Sequence, residues 1–292
     1  MTLNKLARCK TLLGTFVEID LKGHVEDSVL VNLSEEIFDE IQRIHHLLSF
    51  HDETSELSQL NQKALNLAVG ETLTIELSTD LNQVLSFALE LHQFTRGNYD
   101  ITIAPSLVKS KQLPNHLSLN IDKPNNLLSF GNSFNLVCNE GVVTINKPLC
   151  IDLGGIAKGY AVDCALSKVP DYIQCCINAG GDLAMSHWQG ERVNLKYAKR
   201  SSALRTVKMQ NKALATTGNY HRGNKSGIVN PLTGKHVKFK GSMSVFSSQA
   251  MISDALTKAM ILSSKQQKIK IAKYYNAQGI KINRLGFVKL YY

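Results

Sequence analysis

The chain has 292 residues and a formal net charge of +9, with 43% apolar and 20% charged residues, proportions that exclude a disordered tail, a collagen and a coiled-coil rod. No apolar run reaches the ~18 residues of a membrane-spanning helix and no secretory signal is visible, so we expect a cytoplasmic protein, with a removed leader or lipid anchor and a periplasmic location as the alternative. The six cysteines have neither the spacing of a disulfide framework nor that of a zinc site, which predicts reduced thiols.

The first hundred residues predict one strand and two helices. Residues 12–21 (LLGTFVEIDL) predict a strand that contains a glycine. Residues 34–48 carry an apolar stripe at helical spacing and predict a helix with Ser34 as its N-cap. Residues 79–96 predict a second helix with an apolar face, which ends at a glycine.

The rest of the chain alternates strands and helices irregularly. Residues 97–105 (GNYDITIAP) predict a turn and an extended segment with Asp100 and Thr102 on one face, and residues 106–148 predict strands and loops. The later predictions are strands at 150–153, 172–177 and 244–247, a helix opening within 154–163, a helix over 253–262 capped by Ser253, a lysine-rich helix over 264–276 and a hairpin over 280–291. Because there is no repeat and no linker, we expect one α+β domain over residues 1–292.

The strongest candidate site is the segment 151–163 (IDLGGIAKGYAVD), where a predicted strand turns through two glycines into a helix. A helix start presents free N–H groups and a partial positive charge to a phosphate, and Lys158 adds a mobile cation there. Asp152 is placed to accept hydrogen bonds from a ring or a ribose. A plain strand-to-helix turn with Asp152 as a cap would show the same residues.

The distribution of charge points to an anion partner. Residues 1–195 hold 14 basic and 23 acidic residues, whereas residues 196–292 hold 19 basic residues and one acidic residue, Asp254. A phosphorylated cofactor, an acidic protein or nucleic acid would suit this asymmetry, and so would a solvated basic surface. Trp and Phe are sparse among these lysines and no nucleic-acid-binding motif is present, so we expect no nucleic-acid partner. Asp254 itself is either a charge near a helix start or a ligand of a hard cation such as Mg²⁺.

In their order along the chain, these segments resemble the ApbE family, the FAD:protein FMN transferases. The matching segments span residues 12–262: 13–15 (LGT), 55–57 (SEL) with Asn61, 97–105, 151–163, 178–182 (NAGGD), 217–220 (TGNY), 231–234 (PLTG) and 254–259 (DALTKA). The resemblance implies a T-fold-related domain of mixed sheets packed with helices. It also implies an enzyme that cleaves FAD with magnesium assistance, attaches FMN to a Ser or Thr hydroxyl of a target flavoprotein and releases AMP.

The resemblance also implies roles for individual residues. The residues implied to bind FAD are Leu13, His51, Asn98, Tyr99, Asp100, Asp152, Lys158 and Ile228. The residues implied at the metal are Gly155, through its carbonyl, Asp254, Thr257 and Lys258. Asp254 and Lys158 are the implied catalytic residues.

Several residues depart from the family pattern. Leu13 stands where the family has Met, and His51 stands where an aromatic side chain stacks on FAD. Lys258 stands where the family has a metal-binding Thr, and a charged lysine has no lone pair for a cation, so its ammonium is a candidate to fill the place of the metal and pair with Asp254.

The motif His-Ile-x-Asp-Pro of the family reads GIVNP at residues 227–231. The motif histidine is therefore absent, and neither His221 nor His236 is identified as its substitute. These losses motivate an alternative hypothesis beside the transferase, a relative that binds FAD without transferring FMN.

Overall fold

The computed structural model describes residues 2–68, 70–121, 130–198, 202–218 and 227–292. The strands are β1 (Asn4–Leu12), β2 (Thr15–Gly23), β3 (Leu73–Glu76), β4 (Leu136–Asn139), β5 (Val142–Ile145), β6 (Gln174–Ala179), β7 (Asp182–Met185), β8 (Arg192–Lys196), β9 (Leu204–Lys208), β10 (Ala213–Gly218), β11 (Ser242–Ser247), β12 (Gln278–Ile282) and β13 (Val288–Tyr291). The α-helices are α1 (Asp27–Leu48), α2 (Glu56–Leu65), α3 (Thr79–Phe94), α4 (Ala104–Lys109), α5 (Ala157–Leu166), α6 (Ala250–Leu262) and α7 (Lys265–Tyr274).

The chain divides into two units, each assembled from separate segments. Unit 1 comprises residues 1–45, 156–224 and 239–292, and unit 2 comprises residues 46–155 and 225–238. The α+β class is confirmed, and every strand pair in the described ranges is antiparallel, so these sheets are not mixed. The expectation of a single domain stays a prediction. No helix in the described ranges is long and apolar enough to cross a membrane.

Unit 1 is built on an eight-stranded sheet in the order β1-β2-β6-β7-β10-β11-β12-β13, with β8 and β9 as a separate pair. The predicted strand over 12–21 was wrong at its start, because Leu13 and Gly14 have φ angles of 55° and 67° and form the tight turn between β1 and β2. Two successive left-handed residues give the turn whose twist matches a hairpin. The strands predicted near 172–177 and 244–247 and the terminal hairpin are confirmed.

Two helices of unit 1, α1 and α6, begin earlier than the sequence predicts. Helix α1 begins at Asp27, so Ser34 lies inside it, buried, and donates a hydrogen bond to the Val31 carbonyl instead of capping the helix. Helix α6 begins at Ala250, and Ser253 is likewise buried within it. The lysine-rich helix α7 is confirmed, with Ser264 as its N-cap.

A close approach at Gly159 and a helix cap from Asp163 hold α5 against α6. A Cβ added to Gly159 would lie 2.3 Å from the Ala250 carbonyl oxygen, so only glycine permits this approach of the two helices. Asp163 accepts hydrogen bonds from the backbone N–H groups of Ala250 and Met251, both at 2.8 Å, and so caps α6 from a neighbouring helix. Gly159 and Asp163, both in the segment 151–163, therefore position α6.

Unit 2 contains α2, α3, α4 and a sheet in the order β3-β5-β4. Helix α3 is confirmed, with Ser78 as its N-cap and a buried apolar face. The predicted strand at 150–153 is wrong, because Asn61 takes the place of a strand partner: its side chain accepts from the Ile151 N–H at 2.7 Å and donates to the Ile151 carbonyl at 2.8 Å. The predicted extended segment at 100–103 is also wrong, since these residues form a turn that leads directly into α4.

Candidate functional site

In unit 1, Lys158 lies between two carboxylates at the start of a helix. It is the second residue of α5, and its Nζ is 2.5 Å from Asp182 Oδ2 and 3.3 Å from Asp254 Oδ2. The carboxylate side chains are 5% and 0% exposed, whereas Lys158 is 28% exposed. A cation that is held by buried carboxylates and still reaches solvent is placed to meet an anion at the helix start.

The second ammonium of this cluster comes from Lys258. Lys258 and Asp254 are four residues apart on α6, and Lys258 Nζ contacts Asp254 Oδ1. Each oxygen of the buried Asp254 carboxylate therefore has an ammonium beside it, one from Lys158 and one from Lys258. Two carboxylates and two ammonium groups balance each other in formal charge. We call these four side chains the Lys–Asp cluster: Lys158, Asp182, Asp254 and Lys258.

The donor set at Asp254 does not fit the magnesium ion that the resemblance implies. Mg²⁺ takes oxygen ligands in near-octahedral geometry, and the Lys258 ammonium that contacts Asp254 is a donor with no lone pair. The Thr257 hydroxyl, the nearest alternative, donates to the Asp254 carbonyl at 2.8 Å and bonds the Thr217 hydroxyl at 2.6 Å. Within the described ranges, no group of three or more His, Cys, Asp or Glu side chains is arranged to hold a metal.

A second family motif of unit 1 lies beside the Lys–Asp cluster. Asp182, which begins β7, closes the tight turn of residues 178–182, in which Gly180 and Gly181 have φ angles of 62° and 104°. A Cβ on Gly180 would lie 2.4 Å from the Thr15 hydroxyl oxygen, so this turn also packs against the segment 13–15. Leu13 itself is half-buried in the hairpin turn.

In unit 2, the predicted ligand residue Asp100 is held by donors of its own unit. Its Oδ1 accepts from the Thr102 N–H at 2.8 Å, the Thr102 hydroxyl at 2.7 Å and the Ser133 hydroxyl at 2.7 Å, and its Oδ2 lies 3.3 Å from His92 Nδ1. Asp100 is 8% exposed. These donors stabilise the Asp100 carboxylate without a ligand, which indicates a structural role for Asp100.

Tyr99 and Asp152 lie close to Asp100. Burial, together with the charges of Asp152 and Asp100, raises the pKa of Tyr99 well above its usual value, so the phenol stays protonated. The Asp152 N–H donates to the Ile101 carbonyl at 2.8 Å, and its carboxylate would lie 3.3 Å from a Cβ on Gly154. The structure thus brings together the segments 97–105 and 151–155.

The remaining predicted residues of unit 2 are Asn98, Ile228, Gly155 and His51. Asn98 is half-buried at the helix-closing turn, and Ile228 is buried and accepts from the Val237 N–H at 2.9 Å. Gly155 belongs to unit 2, whereas Asp254, Thr257 and Lys258 belong to unit 1. His51 is exposed at a cavity of about 690 Å³, whose other lining residues are Val108, Lys109, Lys111, Gln112, Leu113, Pro114, Asn115 and Ile121.

Sequence reasoning missed two members of the site in unit 1. Asp182 was recognised only as part of the motif 178–182, and its signal was a carboxylate directly after two glycines. Thr217 was recognised only within the motif 217–220, whose last two residues lie outside the described ranges together with His221. His236 is described, and its ring lies 3.3 Å from Gln112 Nε2.

Comparisons with known proteins bear on the family and the fold of this chain. The sequence model of the ApbE family matches residues 13–282, and no curated protein matches the chain. Three solved structures share the fold at a TM-score of 0.80: the flavin transferase ApbE from Vibrio cholerae (20% identity, covering 99% of this chain and 97% of that one), the ApbE protein from Thermotoga maritima (21%, 99% and 97%) and the flavinyl transferase ApbE from Pseudomonas stutzeri in its apo form (17%, 99% and 95%). Because the family model spans nearly the whole sequence, this protein belongs to the ApbE family.

Proposed function

We propose that this protein is a flavin transferase that binds FAD and attaches its FMN portion to a Ser or Thr hydroxyl of an acceptor flavoprotein. The observation that carries the proposal is the position of Lys158, an ammonium at a helix start anchored by two buried carboxylates. Membership of the ApbE family and the flavin-transferase activity of two structural relatives support flavin transfer.

In the proposed reaction, the acceptor hydroxyl oxygen forms a bond to the phosphorus on the FMN side of FAD. The bond from this phosphorus to the bridging oxygen breaks, AMP leaves with that oxygen, and the hydroxyl proton passes to AMP or to solvent. Phosphoryl transfer depends on positioning and on neutralising charge more than on covalent chemistry. Lys158 and the N–H groups at the start of α5 would hold the diphosphate and stabilise the charge that develops on it.

The other residues that the resemblance implies at FAD are proposed as its further contacts. Asn98 is half-buried, so its side-chain amide is available for a ligand, while Tyr99 and Asp100 are buried and give the segment 97–105 its shape. Asp152 and Ile228 are proposed as further contacts. Leu13 and His51 keep the FAD contacts that the resemblance implies for them, His51 by stacking.

A second candidate function is FAD binding without transfer. It is favoured by two observations at residues that would act in the reaction: Lys258 contacts Asp254, and Gly227 stands at the place of the motif histidine. Both changes remove groups that assist transfer in the family pattern, while Lys158 and its helix start are retained.

The two functions are separated by looking for covalently bound flavin. We expect that deleting the gene from the source organism removes a fluorescent flavin band from a denaturing gel of its proteins, and that the intact gene restores it. The purified protein should also bind FAD saturably, as followed by flavin fluorescence. Saturable binding with no change in any covalent band would favour the second function, and no saturable binding below millimolar FAD would exclude both.

A further inference from the structure

We propose that the Lys258 ammonium takes the place of a divalent cation, so that this protein binds the diphosphate of FAD without metal. The inference rests on the proposed function, because it concerns how the same site neutralises the same ligand. The inference adds that Lys258 is the permanent counter-charge of Asp254.

The first support is the burial of Asp254. A carboxylate with no solvent exposure needs a counter-charge, since an unpaired buried charge is strongly destabilising. Lys258 supplies that charge from four residues away on the same helix, and Lys158 supplies another at the opposite carboxylate oxygen. Both oxygens thus have cationic partners that belong to the chain.

The second support is what a metal would have to displace. An ion bound to Asp254 Oδ1 would occupy the position of the Lys258 ammonium, whose side chain is only 21% exposed. The displaced ammonium would then lose its carboxylate beside a doubly charged ion. Since like charges at close range are unfavourable in a partly buried site, the resident lysine excludes the metal.

The third support is the partial exposure of both lysine side chains. Lys158 and Lys258 are 28% and 21% exposed, whereas the two carboxylates that hold them are almost wholly buried. The lysines are therefore the members of the Lys–Asp cluster that an incoming ligand can contact. The formal charge of the cluster is zero, one unit lower than it would be with a divalent ion in place of Lys258. We therefore expect FAD binding that needs no metal but is not exceptionally tight.

The test is a titration of the full-length protein with FAD, followed by flavin fluorescence, in chelator and in millimolar Mg²⁺. For the wild-type protein we expect dissociation constants that agree within about twofold in the two solutions. Lys258→Thr should gain metal dependence, with FAD affinity rising about tenfold on adding Mg²⁺, because a hydroxyl oxygen then replaces the ammonium. Lys258→Met, which has neither charge nor oxygen ligand, should bind FAD about tenfold more weakly in both solutions.

Two measurements keep these results from reflecting stability alone. Binding of Mn²⁺ followed by electron paramagnetic resonance, with FAD present, should appear in Lys258→Thr and be absent from the wild type. The exposed Lys265, seven residues along the chain, provides matched controls: Lys265→Thr and Lys265→Met should behave as the wild type. Circular dichroism spectra would establish that each variant is folded.

Three outcomes would overturn the proposal. Wild-type FAD affinity that rises about tenfold with Mg²⁺ would show that a metal binds despite Lys258, and would leave the transferase proposal intact. Unchanged FAD affinity in Lys258→Met would reduce Lys258 to a structural ion pair. Absence of FAD binding in either solution would remove the proposed function together with this inference.

Discussion

Lys158 Nζ lies 2.5 Å from Asp182 Oδ2, although the two residues are 24 positions apart in the sequence. Asp182 is the first residue of β7 and Lys158 is the second residue of α5, so the ion pair connects the start of this strand with the start of this helix. The Asp182 side chain is nearly buried and the Lys158 side chain is partly exposed, so we take Asp182 as the anchor and Lys158 as the residue that a ligand can contact.

Replacement of Lys158 by Met should weaken binding of the FAD diphosphate. We expect the dissociation constant for FAD to rise at least about tenfold, because the ammonium at the helix start is lost while the length of the side chain is kept. Riboflavin, which has no phosphate, serves as the comparison ligand, and its affinity should not change. The exposed Lys168→Met is the control variant, and an equal loss of riboflavin affinity would argue that Lys158 supports the fold instead.

Replacement of Asp182 by Asn should separate positioning from binding. Asn keeps the shape of the side chain but removes the nearer of the two charges that anchor Lys158, so the ammonium remains present but is less firmly fixed. We expect the rate of AMP release from FAD in the presence of acceptor to fall about tenfold or more, with FAD affinity changed by only about twofold. Equal losses of rate and affinity would contradict a positioning role.

The contacts that the sequence predicts well are local. Lys258 and Asp254 are four residues apart on a helix with a strong apolar pattern, so their pairing follows from helical geometry. The Lys158–Asp182 pair cannot be obtained this way, because it depends on how β6 and β7 turn and on where α5 packs. The motif 178–182 contains Asp182, but only the folded structure shows that Lys158 is its partner.

Side chains that substitute for backbone partners explain two wrong predictions. The run at 150–153 looks like a strand, yet both backbone groups of Ile151 bond to the side chain of Asn61, 90 residues earlier. Asp100 and Thr102 alternate as strand residues do, but an aspartate two residues before a threonine also closes a turn, and here the turn is formed. In both cases the hydrogen-bond partner is a side chain, which the spacing of apolar and polar residues in the sequence does not reveal.

Asp100 and Asn98 should respond oppositely to truncation. Asp100→Ala removes the acceptor of three hydrogen bonds of 2.7–2.8 Å, so we expect a loss of about 3 kcal/mol in the free energy of unfolding. Asn98→Ala should change that free energy by less than about 0.5 kcal/mol and should instead weaken FAD binding. Denaturant unfolding and FAD titration of both variants provide the check, and a stable Asp100→Ala protein that fails to bind FAD would return Asp100 to the ligand site.

Asp163 should give the stability of the protein a specific dependence on pH. Burial raises the pKa of Asp163 from 3.8 to about 6, opposed in part by the hydrogen bonds from Met251 and Ala250 and by the charge of Lys212. Since the folded-state pKa lies above the unfolded one, unfolding between these values releases a proton. The stabilisation from this group is therefore complete below about pH 4 and is lost as the pH rises through about 6.

The comparison of Asp163→Asn with the wild type isolates this contribution. The amide does not titrate, so the stability advantage of the wild type should shrink by about 3 kcal/mol as the pH rises from about 4 to about 7, following a pKa difference of about two units. Thermal or denaturant unfolding at several pH values measures the difference, with the exposed Asp171→Asn as a control whose curve should run parallel to that of the wild type. Parallel curves for Asp163→Asn as well would mean that the carboxylate capping α6 keeps an ordinary pKa, and that its two hydrogen bonds from the helix start outweigh its burial.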